Sequence, residues 1–214
     1  MDKIVFHNTV PKIFSDERDL QSDVWLQDFS FEKGKYYLVE ANSGTGKSSL
    51  CSYIYGYRDD YSGKILFDDA DIRNLKPKQW DKIRCTNISL LFQELCLFPE
   101  LTALENVQLK NNLTRYKENN QIDEMFHMLG ISNKKYSLVG KMSWGQQQRV
   151  ALIRSLCQPF DFLILDEPIS HLDDENASIA AVLLQREAWQ QGAAIVATSI
   201  GKNLPLEYIK TFAL

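Results

Sequence analysis

Cysteine is sparse in this chain of 214 residues, with only Cys51, Cys85, Cys96 and Cys157, and no two of them form a C-x-x-C pair. That scatter argues against a disulfide framework or a thiolate zinc site and leaves reduced thiols as the expectation. No apolar run approaches the roughly 18 residues that a membrane span requires. Met1-Asp2-Lys3 does not open a signal peptide, so the chain is expected in the cytoplasm. A basic excess is also missing: the net charge is −4, which supplies no electrostatic footprint for nucleic acid. Coiled-coil heptads, internal repeats and low-complexity linkers are not evident. What is present, 44% hydrophobic and 24% charged residues, suits one globular domain, or one domain with an inserted lobe, around a substantial core.

The chemistry starts at a strand-to-helix turn. Residues 35–40 read as a strand and residues 48–55 as a helix, with Ala41-Asn42-Ser43-Gly44-Thr45-Gly46-Lys47-Ser48 between them. This is the context and pattern of a phosphate-binding P-loop, with Ala41 at the position where the pattern begins with Gly. Gly44 and Gly46 allow backbone conformations and approaches that a Cβ would obstruct, so successive N–H groups can form an anion nest. The expected phosphate-binding set is Asn42, Ser43, Gly44, Thr45, Gly46, Lys47, Ser48 and Ser49. Lys47 is expected at the β- and γ-phosphates, and Ser48 at a Mg²⁺ ion.

Two further segments carry polar groups at defined places. Residues 160–165 form an apolar run that delivers Asp166 and Glu167 at the end of a buried parallel strand, where open α/β sheets bind ligands. Further back, Ser143 lies three residues before Gln146. That is the spacing of a capping box, and Val150, Leu152, Ile153 and Leu156 give the helix that follows an apolar face before Pro159. A helix N-terminus of this kind favours an anion, and Gly145 lets one approach the backbone.

Residues 142–154, Met-Ser-Trp-Gly-Gln-Gln-Gln-Arg-Val-Ala-Leu-Ile-Arg, resemble the signature of ATP-binding cassette (ABC) ATPases, Leu-Ser-Gly-Gly-Gln. The likeness extends over nearly the whole chain, because the P-loop, a Q-loop at Gln93, the signature, the acidic pair and a D-loop at Ser170-His-Leu-Asp173 follow one another in the family's order. The resemblance implies ATP and Mg²⁺ as cofactors. Ser48, Gln93 and Asp166 would serve the metal, while Glu167 would act as general base beside Lys47 and Gln93. Ser143, Gly145 and Gln146 would reach a partner's nucleotide across a dimer interface, and Phe14 is the aromatic expected to stack on adenine. The implied architecture is an α/β P-loop NTPase (RecA-like) core with an antiparallel β subdomain and a helical lobe inserted at about residues 97–142. Residues 1–214 would form one cassette.

The same resemblance implies an ATP-hydrolysing subunit on the inner face of a membrane, working as a homodimer or heterodimer against an integral membrane permease on a separate chain. The stretch from Leu97 to Val107 looks most like the lipoprotein-release, macrolide-export and cell-division group of cassettes. Two positions depart from the pattern. Trp144 stands where the family has its first signature Gly, and it either hinders closure of the dimer or packs on a neighbouring surface. Ser199 stands where the family has its switch histidine; none of His7, His127 and His171 follows the last core strand. Losing one such transition-state contact costs about 10²–10³ in rate. The alternative is therefore an ATP-binding regulatory or assembly subunit that turns over negligibly.

Overall fold

The computed structural model describes residues 1–15, 20–42 and 44–214. Its centre is a parallel sheet ordered β6-β7-β8-β3-β9, comprising β3 (Tyr36–Glu40), β6 (Ile88–Leu91), β7 (Phe162–Leu165), β8 (Ala194–Ser199) and β9 (Lys210–Ala213). Period-two alternation divides two cores across it. Leu38, Leu163, Leu165, Ile195 and Ala197 join one core with side chains of α3 (Ala103–Thr114), α4 (Asn119–Met128), α5 (Trp144–Leu156) and α6 (Asp174–Gln191). Tyr37, Val39, Phe162, Ile164, Ala194 and Val196 join the other, with α1 (Lys47–Ile54) and the second sheet. Strands buried on both faces explain why β7 and β8 are almost wholly apolar runs.

The second sheet is antiparallel, ordered β2-β1-β4-β5, from β1 (Lys3–Pro11), β2 (Phe29–Glu32), β4 (Tyr61–Phe67) and β5 (Ala70–Asp71). An aromatic cluster of Phe6, Phe29, Phe31, Tyr37 and Phe212 fastens it to the parallel sheet. The helix α2 (Pro77–Thr86) leads from this sheet into β6. The fold is thus α/β with one parallel and one antiparallel sheet.

By residue type alone Val24 to Phe31 reads as a strand, Tyr61-Ser-Gly63 as a turn and Asn119-Asn120 as a break between helices, and the structure changes all three. The strand signal over residues 24–31 yields a strand only at Phe29–Glu32; Leu26 takes a left-handed φ of 61°, and Val24 and Trp25 are buried without being in a strand. Tyr61-Ser-Gly63 is not a turn but the start of β4. Gly63, at φ 80°, lies beside a register shift in β1, and a Cβ there would sit 2.2 Å from the Asn8 carbonyl oxygen. Asn119-Asn120, expected as a helix break, opens α4; the chain turns before it, with Arg115 at φ 53°. Lys117 from this turn forms a buried ion pair with Glu187 of α6 at 2.5 Å, fastening the helices after β6 to the core. Among the described residues, no helix is long and apolar enough to cross a membrane.

Candidate functional site

The chain leaves β3 at Glu40 and re-enters regular structure at Lys47, through Gly44 at φ 86° and Gly46 at φ 101°. Gly46 also has a steric reason to be glycine: a Cβ there would lie 3.0 Å from the Trp25 ring and 3.2 Å from Phe14. Trp25, itself buried, donates its indole N–H to the Thr45 carbonyl at 3.0 Å. The Thr45 hydroxyl donates to the Asn42 carbonyl at 2.9 Å, so the loop is braced from both sides. Lys47 is buried, with Nζ bonded to the carbonyls of Asn42 (2.9 Å) and Ala41 (3.3 Å). A cavity of about 330 Å³ opens over the loop, lined by Phe14, Gly44, Gly46, Lys47, Ser48, Ser49, Gln93 and Glu167 among others.

The two carboxylates arrive from β7 with different surroundings. Asp166 is 5% exposed and accepts the Thr198 hydroxyl at 2.7 Å. The same hydroxyl oxygen accepts the Glu167 N–H at 3.1 Å, so β8 orients both acids through one side chain. Burial pushes Asp166 above the usual carboxylate range, opposed by hydrogen bonds from Thr198 and Ser48 and by the Lys47 charge. Glu167 is also raised, again by burial first, with Lys47 opposing. Its backbone is left-handed, at φ 51°, a conformation that costs a non-glycine residue on the order of 1–2 kcal/mol. Its Oε1 lies 3.9 Å from Lys47 Nζ. Ser48 Oγ completes the group by donating to Gln93 Oε1 at 3.2 Å.

The helix α5 begins as its spacing predicts. Ser143 Oγ accepts the Gln146 N–H at 3.4 Å, while Gln146 Oε1 accepts the Ser143 N–H at 3.1 Å. Gln148, 1% exposed, ties this helix to the acidic turn: its Nε2 donates to the Glu167 carbonyl at 3.2 Å and its Oε1 accepts the His171 N–H at 3.1 Å. Gly145 has a reason beyond access for an anion, because a Cβ would lie 2.8 Å from the His171 carbonyl oxygen. Trp144 sets its ring edge-on to His171 at 5.5 Å and remains 48% exposed.

The residues expected from sequence therefore separate. Phe14, Gly44, Gly46, Lys47, Ser48, Ser49, Gln93 and Glu167 share one cavity, and Asp166 is joined to them through Thr198 and Ser48. Thr45 lines an adjoining cavity with Phe14 and Trp25, and Asn42 takes part through its carbonyl. Ser143, Gly145 and Gln146 do not line the cavity. Ser43 lies outside the described residues. Ser199 is 3% exposed and donates its hydroxyl to the Lys202 carbonyl at 2.7 Å, leaving its neighbour Ile200 to line the cavity. Sequence reasoning missed Thr198, Gln148, Trp25 and Arg58; a polar residue at the end of an apolar strand was a usable signal for Thr198, whereas Arg58 comes from a loop with no motif.

A P-loop opening a helix after β3, with a buried acid at the end of β7, separated from β3 in the same parallel sheet only by β8, defines a P-loop nucleotide-binding domain. The model of one family, described as ABC transporter, matches residues 27–170. The methionine import ATP-binding protein MetN 2 of Rhodococcus jostii (strain RHA1) is 32% identical over 199 residues, covering 92% of this chain and 58% of that protein. The ABC transporter ATP-binding protein YtrE of Bacillus subtilis (strain 168) is 30% identical over 170 residues, covering 78% of this chain and 74% of that protein. The dimeric structure of MJ0796, a bacterial ABC transporter cassette, shares the fold with a TM-score of 0.76 at 24% identity, over 91% of this chain and 87% of that one. A second MJ0796 dimer, in a post-hydrolysis state bound to ADP and Pi, has a TM-score of 0.75 over 92% of this chain and 87% of that one, also at 24% identity. The chain belongs to the ABC transporter family, as an ATP-binding cassette of the ATPase class.

Proposed function

We propose that this cassette binds MgATP at the Lys47 cavity, dimerises around it, and uses closing and reopening of the dimer to drive an integral membrane permease carried on a separate chain. The observation that carries the reading is the convergence of Lys47, Ser48, Gln93 and Glu167 on one cavity, with Asp166 held beneath it by Thr198. Lys47 supplies a positive charge to the terminal phosphates, and the loop N–H groups between Gly44 and Ser48 supply the nest. Phe14 offers its ring to the base. Ser48, Gln93 and Asp166 present hard oxygen donors, the kind that Mg²⁺ takes one or two at a time alongside phosphate oxygens. When bound, the ion neutralises charge developing on the phosphates. It also favours ionised Asp166, against the burial that raises it.

Glu167 acts as the general base toward water. Its left-handed backbone and the Thr198 hydroxyl fix where its carboxylate stands, and Lys47 at 3.9 Å favours the ionised form that accepts a proton. Ser143, Gly145 and Gln146, which lie outside this chain's cavity, serve the nucleotide of the partner cassette. Residues 1–214 form a single cassette in which about 97–142 is the inserted lobe that meets the permease at the inner face of the membrane. A second reading, very slow turnover, draws on Ser199, because a buried hydroxyl committed to the Lys202 carbonyl offers the γ-phosphate nothing.

Phosphate release tests the proposal. Purified chain, with Mg²⁺ and ATP, is expected to release phosphate at a rate that Glu167→Gln abolishes, and to bind ATP with an affinity that Lys47→Ala greatly weakens. ATP binding that survives unchanged in Lys47→Ala would remove the nucleotide site. Binding intact without phosphate release, even with the permease present, would leave the slow subunit as the correct reading.

A further inference from the structure

Arg58 stands in the cavity although no P-loop motif asks for it. It follows α1 in the turn toward β4 and lines the same space as Phe14, Lys47, Ser48 and Ser49. Its guanidinium is clamped on Asp60 by two hydrogen bonds, Nε to Oδ1 at 2.8 Å and Nη2 to Oδ2 at 2.5 Å. Nη1 donates to Ser49 Oγ at 2.9 Å, and the guanidinium carbon lies 5.5 Å from the centre of the Tyr53 ring. Of five N–H donors these bonds use three, so one on each terminal nitrogen has no partner among the described residues. The Asp60 hydrogen bonds raise the pKa of Arg58, so the charge persists at every working pH.

The position of Arg58 between two other parts of the cavity gives this charge a use. The Asp60 carbonyl accepts the Lys12 N–H at 2.9 Å and the Tyr53 hydroxyl at 3.2 Å. Lys12 opens the short turn that carries Phe14, so Asp60 joins the aromatic shelf to the guanidinium. On the other side Ser49 joins the guanidinium to the first turn of α1. A nucleotide with its base on Phe14 and its terminal phosphates at Lys47 and Ser48 must carry its ribose and first phosphate across this interval. A planar fork pre-set by a carboxylate suits a phosphate there, since its geometry is already fixed before binding.

We propose that Arg58 is a nucleotide-binding residue that recognises the phosphate next to the ribose, so that it contributes equally to ATP and ADP. The proposal rests on the nucleotide site proposed above. Arg58 thereby contributes affinity that hydrolysis does not remove, and it sets how firmly the product is retained. Lys47, by contrast, discriminates through the terminal phosphates.

Calorimetry of ATP and ADP on the whole chain, wild type against Arg58→Met, Arg58→Lys and Asp60→Asn, tests this. Arg58→Met keeps an unbranched apolar side chain without the charge and is expected to weaken ATP and ADP by the same factor, about three- to tenfold for a partly solvated charge-assisted hydrogen bond. Its salt dependence should be shallower than that of wild type. Arg58→Lys should recover part of the loss, and Asp60→Asn, which leaves the cation in place, should lose less than Arg58→Met. Unchanged affinities in Arg58→Met, a loss confined to ATP, or equal losses in Arg58→Met and Asp60→Asn would each overturn the proposal, the last by making the pair a brace for the Phe14 turn. Lys47→Ala, run alongside, keeps the two readings apart: if it leaves ATP binding intact the nucleotide site itself is wrong, whereas normal weakening there with no effect at Arg58 removes only this inference.

Discussion

Around Lys47 the polar side chains of the family pattern face one cavity, whereas around Trp144 and Ser199 they are turned onto their own chain. Ser48 meets Gln93, Glu167 lies beside Lys47, and Thr198 orients both acids. On the other side Ser143 is spent on its helix cap, Trp144 rests edge-on against His171, and Ser199 is committed to the Lys202 carbonyl. In the proposed function the first group, gathered within one chain, binds the nucleotide through Lys47 and Ser48 and supplies the base for hydrolysis through Glu167. In the same proposal the second group serves closure and turnover, and the departures at Trp144 and Ser199 fall there. The contrast leads to one expectation: substitutions near Lys47 lose function, while reversions near Trp144 and Ser199 gain it.

The largest effect is expected at Glu167. Removing a general base costs about 10²–10⁴ in rate, so Glu167→Gln should eliminate measurable phosphate release while retaining ATP, and light scattering should find an ATP-bound dimer. In wild type the rate should fall as pH is lowered through the raised Glu167 pKa, earlier than for an ordinary glutamate, because only the ionised form accepts a proton. A variant as fast as wild type would break the comparison at its stronger side. Next, Lys47→Ala should weaken ATP by about 10²-fold, as expected when a charged hydrogen-bond partner is removed from a buried phosphate site. Calorimetry reads this directly.

Smaller effects should come from the other side, with the opposite sign. Ser199→His is expected to raise kcat by about tenfold with little change in ATP affinity, the pattern of an interaction gained in the transition state. That is less than the 10²–10³ such a contact can supply, because Ser199 is 3% exposed and an imidazole must displace its bond to Lys202. Trp144→Gly should change ATP-dependent dimerisation by about threefold, a surface contact's share, and the double variant should exceed either single one. If neither reversion raises turnover while folding and binding stay normal, the assignment of the deficit to this side fails.

The smallest effect concerns stability. Asp166 has a folded pKa raised by burial, so the folded state holds its proton more tightly than the unfolded state does. Its contribution therefore favours folding as pH falls through that raised value and opposes folding above it. Without nucleotide at neutral pH, Asp166→Asn should raise Tm by about 2–4 °C, the shift that about 1 kcal/mol produces in a chain of this size. Calorimetric scans with and without MgATP check it: the same variant should lose most of the stabilisation that MgATP gives wild type.

Legibility followed the range of the interactions. The P-loop turn, the Ser143 cap and the apolar strands before Asp166 and Ser199 were readable because each rests on neighbours within a few residues. The segment at Val24 and Trp25 looked like a strand because Val and Trp favour strands. In the fold Trp25 gives up that pairing to brace Thr45 and Gly46. Gly63 read as a turn because glycine usually marks one, yet its left-handed φ serves a bulge against β1. The edge strand β9 carried too weak a pattern to see, with only Phe212 buried.

Sequence alone determined the class of ligand and the order of the parts, since a glycine nest, a lysine and an acid at a strand end are recognisable by local chemistry. It also determined the two departures, which are identities at positions rather than shapes. Only the tertiary structure decided what those side chains face. Thr198 orients Asp166 and Glu167, Gln148 bonds the acidic turn to α5, Arg58 reaches Ser49, and Ser199 turns away to Lys202, each through a contact between segments distant in sequence or between side chains whose direction the fold alone sets. Such contacts leave no periodicity or spacing behind, because the chain pays their entropy only when packing of the two cores brings the segments together.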